Sequence, residues 1–141
     1  MIGVYYALVV VLIAKANGYE NEEDRTEFTN SIGSTFFGVG LLGNFYHHYL
    51  LAKLRSSKQT SKYVAPKGGL FEYVACPHYL FELVGWLGIA IVSHHLNVYL
   101  VFTSMCSYLG GRSVAQNEFN KKTFGEKDWP RNRKNLVPFL Y

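Results

Sequence analysis

The chain has 141 residues, enough for one domain; 49% are apolar, 16% aromatic and only 17% charged. Soluble domains carry roughly 25% charged residues, so the composition argues against an ordinary soluble protein. The net charge of +4 comes from cations flanking apolar runs, with no base-reading motif, which argues against a nucleic-acid binder.

The first apolar run, Met1–Ala14, is short for a membrane helix, which needs roughly 20 residues. Ala14-Lys15-Ala16 mimics a signal-peptide cleavage site, but no basic residue precedes the run, so a membrane helix that starts upstream is the stronger reading. Lys15–Asn30 is a polar connector rich in acid: Glu20, Glu22, Glu23, Asp24 and Glu27 stand against Lys15 and Arg25. Thr29-Asn30-Ser31 supplies candidate caps for the next helix. The second run, Ser31–Leu51, is of membrane length, and its glycines permit close helix packing.

Ala52–Gly69 is a basic connector holding Lys53, Arg55, Lys58, Lys62 and Lys67 without an acid, closed by a turn at Pro66-Lys67-Gly68-Gly69. That turn is neither a Walker loop nor a Gly-x-Gly-x-x-Gly loop, so a soluble dinucleotide-binding α/β domain is excluded within this chain. The third run, Phe71–Ser93, contains Pro77, which is expected to bend the helix. The fourth, Leu96–Gly110, follows a turn at His94–His95, and a basic tail extends beyond it.

Two cysteines, Cys76 and Cys106, make neither a disulfide framework nor a four-ligand zinc site; their apolar surroundings read as burial. The expected architecture is all-α: a multi-pass transmembrane bundle of about four helices with a basic amphipathic C-terminal tail. With four crossings, both basic segments fall on one face of the membrane and the acidic connector on the other. The positive-inside rule then puts the basic connector, the N-terminus and the tail in the cytosol.

Three constellations carry candidate chemistry. Asn44, His48 and Arg55 stand at i, i+4 and i+11, close to three helical turns, and so share a face; His47 is beside them. Polar groups within a bilayer cost free energy and mark candidate sites. The row reads either as a wall around a polar ligand, with Arg55 meeting a phosphate at the mouth, or as inter-helix hydrogen bonds with Arg55 snorkelling to headgroups. His78 and Glu82, also i and i+4, read as site groups or as a structural pair; a buried carboxylate needs a partner, and His78 or Arg112 is available. The tail offers Arg112, Asn117, Asn120, Lys121, Lys122 and the run Trp129–Phe139, suited to an anionic cofactor or to interfacial anchoring. A metal site from Cys76, His78 and His47 or His48 matches no usual ligand spacing, so no metal is expected.

The stretches Gly43-Asn44 through Leu54-Arg55, Ala65-Pro66-Lys67-Gly68-Gly69-Leu70-Phe71-Glu72-Tyr73-Val74, Cys76–Leu83, Gly85-Trp86-Leu87-Gly88 and Pro130–Phe139 resemble, in order and spacing, the C-terminal domain of the steroid 5-alpha-reductase family, which includes polyprenol and trans-2-enoyl-CoA reductases. The resemblance is strongest over 43–141 and makes 1–141 a single membrane domain. It implies a multi-pass endoplasmic-reticulum protein that reduces a carbon–carbon double bond in a lipid with NADPH. It further implies that Asn44 and Arg55 line the NADPH site and that His48, His78, Glu82 and Arg112 belong to its surroundings. His48 stands where steroid reductases often have Asp, His78 where they often have Asn, Gln116 for a usual His and Asn120 for a usual Tyr. The family's proton-donating Glu and Tyr lie in an N-terminal half that this sequence does not match, so no catalytic residue is assigned and the chain alone is expected to show negligible turnover. Alternatives are a membrane methyltransferase of the isoprenylcysteine carboxyl type, whose usual adjacent Glu pair is missing after Arg112, and a non-catalytic family member.

Overall fold

The computed structural model describes residues 27–56 and 63–140. The Met1–Ala14 run, most of the acidic connector, and Lys58 and Lys62 lie outside the described residues. Among them the protein is all-helical: α1 spans Glu27–Ser56, α2 Pro77–Ser93 and α3 Leu96–Thr123, with a short 3₁₀ turn at Gly69–Glu72.

α1 is longer than its apolar run at both ends. Glu27 occupies its first turn and Lys53 and Arg55 its last, matching charge to the helix dipole. The residues expected to cap it are instead inside it. Ser31 Oγ donates back to the Glu27 carbonyl (2.8 Å) and Thr35 Oγ1 to that of Ser31 (2.7 Å), satisfying hydroxyls that face no other partner.

Pro77 does not bend a helix; it starts one. It occupies the first turn of α2, where the missing N–H costs nothing and the fixed φ favours the helix. Residues 71–76, expected as the start of the third helix, instead lie in the 3₁₀ turn at Gly69–Glu72 and the segment after it. α2 ends at His94, which adopts a left-handed conformation (φ 53°) and reverses the chain into α3. α3 does not stop at Gly110-Gly111: no other element presses on either position, and the helix continues through Arg112 and Asn120 to Thr123. Half of what reads as tail is therefore helix.

α1 and α2 meet almost backbone to backbone. A Cβ on Gly40 would lie 2.3 Å from the Gly85 amide nitrogen, a distance only glycine tolerates. α2 meets α3 through larger side chains, with Trp86, Met105 and Leu109 buried together and Tyr79, Leu83 and Phe102 against them. A second cluster, Ala65, Ala75, Cys76 and Trp129, holds the C-terminal segment to the start of α2. There Val74 and Lys134 form an isolated parallel bridge.

No helix of the described residues is long and apolar enough to cross a membrane. The reasons differ by helix. α2 is apolar but has 17 residues, a rise of about 26 Å. α1 has 30 residues but interleaves Ser, Thr, Asn, His and Tyr with its Phe and Leu.

Candidate functional site

The last turns of α1 draw away from α2, and a cavity of about 1020 Å³ opens between α1, the start of α2 and α3. That volume is at the upper end for small-molecule sites. His48, Leu51, Leu54 and Arg55 line it from α1, His78 and Tyr79 from α2, and Arg112, Gln116, Phe119 and Asn120 from α3. The wall is thus aromatic and aliphatic, with two guanidiniums, two imidazoles and two amides set into it.

Local folding places these groups. Gly68 and Gly69 both have positive φ (91° and 55°), so the chain turns sharply after Pro66-Lys67. That turn delivers the Leu70 N–H to His47 Nε2 (3.2 Å), while His47 Nδ1–H donates to the Gly43 carbonyl (2.7 Å). The two bonds fix the Nδ1–H tautomer. His47 is also packed against the rings of Tyr46, Phe71 and Phe81. It is therefore a structural rivet that joins the glycine turn to α1, and it is not a cavity group.

Asn44 donates from Nδ2 to the carbonyl of His78 (2.9 Å). It does not line the cavity; it holds the residue that does. His48 meets the His78 ring edge-on at 5.0 Å, and His78 leans on Tyr79 at 4.3 Å. Of the candidate residues, the structure brings His48, Arg55, His78 and Arg112 to one cavity. Glu82, one turn further along α2, is half-buried and outside the lining.

Two wall atoms lack a hydrogen-bond partner although they are buried: His78 Nδ1 and Asn120 Nδ2. The residues are 9% and 2% exposed. Asn120 Oδ1 is already taken by Gln116 Nε2 (3.0 Å), so the unpaired side of that amide is its Nδ2 donors. Buried polar atoms are rarely left unpaired; both of these belong to residues of the cavity wall. Gln116 and Asn120 follow Arg112 at i+4 and i+8. This helical spacing was readable in the sequence once α3 is allowed to continue past Gly111.

Below the cavity, Asn117 accepts from Trp129 Nε1 (2.8 Å) and donates to the Arg133 carbonyl (2.9 Å) and Asn135 Oδ1 (2.8 Å). The Arg133 guanidinium lies over the Trp129 ring at 3.9 Å, and burial lowers its pKa, an effect that Glu72 opposes. Among the described residues no group of three or more His, Cys, Asp and Glu is arranged to hold a metal.

Fold and site together define a helical protein with an aromatic-walled cavity lined by two guanidiniums, two imidazoles and two amides. The family described as 3-oxo-5-alpha-steroid 4-dehydrogenase matches residues 2–141, and the chain belongs to it. It is 40% identical over 110 residues to a steroid 5-alpha-reductase of Solanum lycopersicum, covering 78% of this chain and 42% of that protein. With the Homo sapiens 3-oxo-5-alpha-steroid 4-dehydrogenase 2 it shares 35% identity over 117 residues, 82% of this chain and 44% of the relative. With a polyprenal reductase 1 of Oryza sativa subsp. indica it shares 33% over 115 residues, 80% of this chain and 32% of the relative. The chain thus spans less than half the length of these relatives.

Proposed function

We propose that this chain supplies the NADPH-binding part of a reductase that saturates a carbon–carbon double bond in a lipid of steroid, polyprenol or enoyl-CoA type. The observation that carries the reading is one cavity that combines the Arg55 and Arg112 guanidiniums with imidazole, amide and aromatic side chains. Guanidiniums bind phosphate oxygens in a forked geometry. Arg55 and Arg112 would hold the phosphates, Asn120 would donate to a ligand acceptor, and the Tyr63, Phe71, Tyr79 and Phe119 rings would enclose the flat rings of the cofactor. Asn44 and the His48–His78 contact would keep His78 oriented toward the ligand. When bound, NADPH supplies the hydride; the residues here bind, orient and exclude water. A methyltransferase suits the cavity less well, since S-adenosylmethionine carries a sulfonium cation that two guanidiniums repel.

The same reading places the protein in the endoplasmic-reticulum membrane as a multi-pass protein, with the basic connector and C-terminus cytosolic and a lipid substrate reached from the bilayer. In its support, Phe28, Leu42 and Phe45 on α1 are 70% or more exposed, apolar surface that lipid would cover. The α2 helix, slightly shorter than a hydrocarbon core of about 30 Å, would be accommodated by local thinning and interfacial side chains.

The test is equilibrium binding to the purified chain in detergent. NADPH is expected to bind at least about tenfold more tightly than NADH, because a 2′-phosphate meets an additional cation. Equal affinities would contradict the proposal. Lipid reduction by the chain alone is expected to be negligible, because the chain spans less than half the length of the relatives it matches.

A further inference from the structure

A set of hydrogen bonds ties the C-terminal segment to both sides of the cavity, and it runs through a residue that does not touch the cavity. Asn117 is 1% exposed and lies on α3 between the two lining amides, Gln116 and Asn120. Its Oδ1 and both Nδ2 hydrogens are engaged, by Trp129 Nε1–H, the Arg133 carbonyl and Asn135 Oδ1 respectively. The segment so held pairs in turn with residues 73–76. Lys134 N–H donates to the Tyr73 carbonyl (3.2 Å), Ala75 N–H to that of Lys134 (2.8 Å) and Cys76 N–H to that of Asn135 (3.1 Å). Cys76 is the N-cap residue of α2 and makes no side-chain capping bond. The bond from its N–H to Asn135 therefore fixes where α2 begins, and His78 follows two residues later. From His78 the carbonyl is bonded to Asn44 on α1. The bonds thus connect α3, the C-terminal strap, the start of α2 and α1 in one chain of contacts.

We infer that Asn117 is a positioning residue: through the strap it anchors at Trp129, Arg133 and Asn135, it sets the place of His78 in the cavity wall. The inference rests on the reading of the cavity as a ligand site. The bonds to Asn117 hold the strap on α3 against the cost of burying Arg133, whose Nε and Nη1 are buried without hydrogen-bond partners. An amide with every bond satisfied in a dry core is costly to remove, because its partners are left unpaired.

The experiment uses the full chain with Asn117→Leu, similar in size but unable to hydrogen-bond, and reads two quantities. The first is the alkylation rate of Cys76 by a small maleimide, with Cys106 as internal reference. In the native protein Cys76 is fully buried and burial pushes its thiol up to about 12, so it reacts slowly. The second is the NADPH Kd, measured well below the unfolding temperature. We expect Cys76 labelling to rise at least about tenfold relative to Cys106, and the Kd to weaken about tenfold, in line with a sub-ångström to ångström displacement of a site group. Labelling that rises with an unchanged Kd would overturn the inference, as would no change in either or a lowered unfolding temperature alone. If Asn117→Leu does not fold, Asn135→Ala removes one acceptor and is expected to move both readouts in the same direction by about threefold; an unchanged Kd there overturns it equally. If the native chain binds no NADPH, the cofactor reading fails on its own account, and the strap is judged by the His78 imidazole ¹⁵N shift. That shift must move with Cys76 labelling in the variant, and a stationary shift overturns the strap.

Discussion

The two halves of α1 carry opposite kinds of surface to their neighbours. Between Gly33 and Gly43 the helix presents Gly33, Gly40 and Gly43 to α2, and a Cβ at any of them would strike the Val92 side chain, backbone atoms or the Phe81 ring. From His48 to Arg55 it presents large polar and aliphatic side chains, and the neighbouring elements stand off to leave a cavity. One helix therefore zips shut at one end and opens at the other, and side-chain size alone makes the difference. The zipped half fixes the distance between α1 and α2; the open half inherits that geometry as a preformed site. His47, with its two ring bonds, is the transition between them.

The comparison can be broken at several points. The largest effect on stability is expected from His47→Ala, which strands the half-buried Leu70 N–H and empties a ring-packed site; a loss of about 3 kcal/mol in thermal or denaturant unfolding is expected. An unchanged stability would deny the rivet. Next comes a pair on one helix. Gly40→Ala gains helix propensity of about 1 kcal/mol but drives a methyl into the α2 backbone, for a net loss of about 2 kcal/mol. Gly38→Ala, with nothing within 4 Å of its Cβ, keeps the propensity gain and is expected to stabilise by about 0.5–1 kcal/mol. Equal effects of the two would mean that α1 and α2 do not approach as described. The smallest effect lies outside both halves. Lys67, bonded to Asp128 at 2.9 Å, holds the Asp128 carboxyl below its ordinary value of 3.8. A depressed folded value means that the contribution is present above pH 3.8 and is lost as pH falls through the folded value. Asp128→Asn is thus expected to lower the unfolding temperature slightly at neutral pH, with the difference from the native chain closing as the pH falls below 3.8 and through the folded value. A difference that persists in strong acid would assign the effect to something other than this pair.

Much of the fold was legible because its signals are local. The apolar runs located three helices, the glycine turn at Gly68-Gly69 was marked by composition, and the helical spacing of His48 and Arg55 put them on one face of α1. What escaped was decided by neighbours. Pro77 reads as a helix breaker inside a long apolar run, yet it stands in the first turn of α2, directly after Cys76, whose N–H is bonded to the strap. Gly110-Gly111 reads as an end, yet nothing nearby competes with continuing the helix. Asn44 has the spacing of a wall residue, but its amide finds the His78 carbonyl first. Asn120 was read as one polar residue of a tail and Gln116 only as a departure from the family pattern, and their pairing depends on the helix that the glycines were expected to end.

The central claim is that the two guanidiniums of the cavity act on one anionic ligand. NADPH Kd values for Arg55→Ala, Arg112→Ala and the off-cavity control Arg131→Ala, whose side chain is already paired with Glu126, test it most directly. At least about tenfold weakening is expected for each of the first two, with the control unchanged. Equal Kd values across all three variants, or an equal loss in all three, would contradict it.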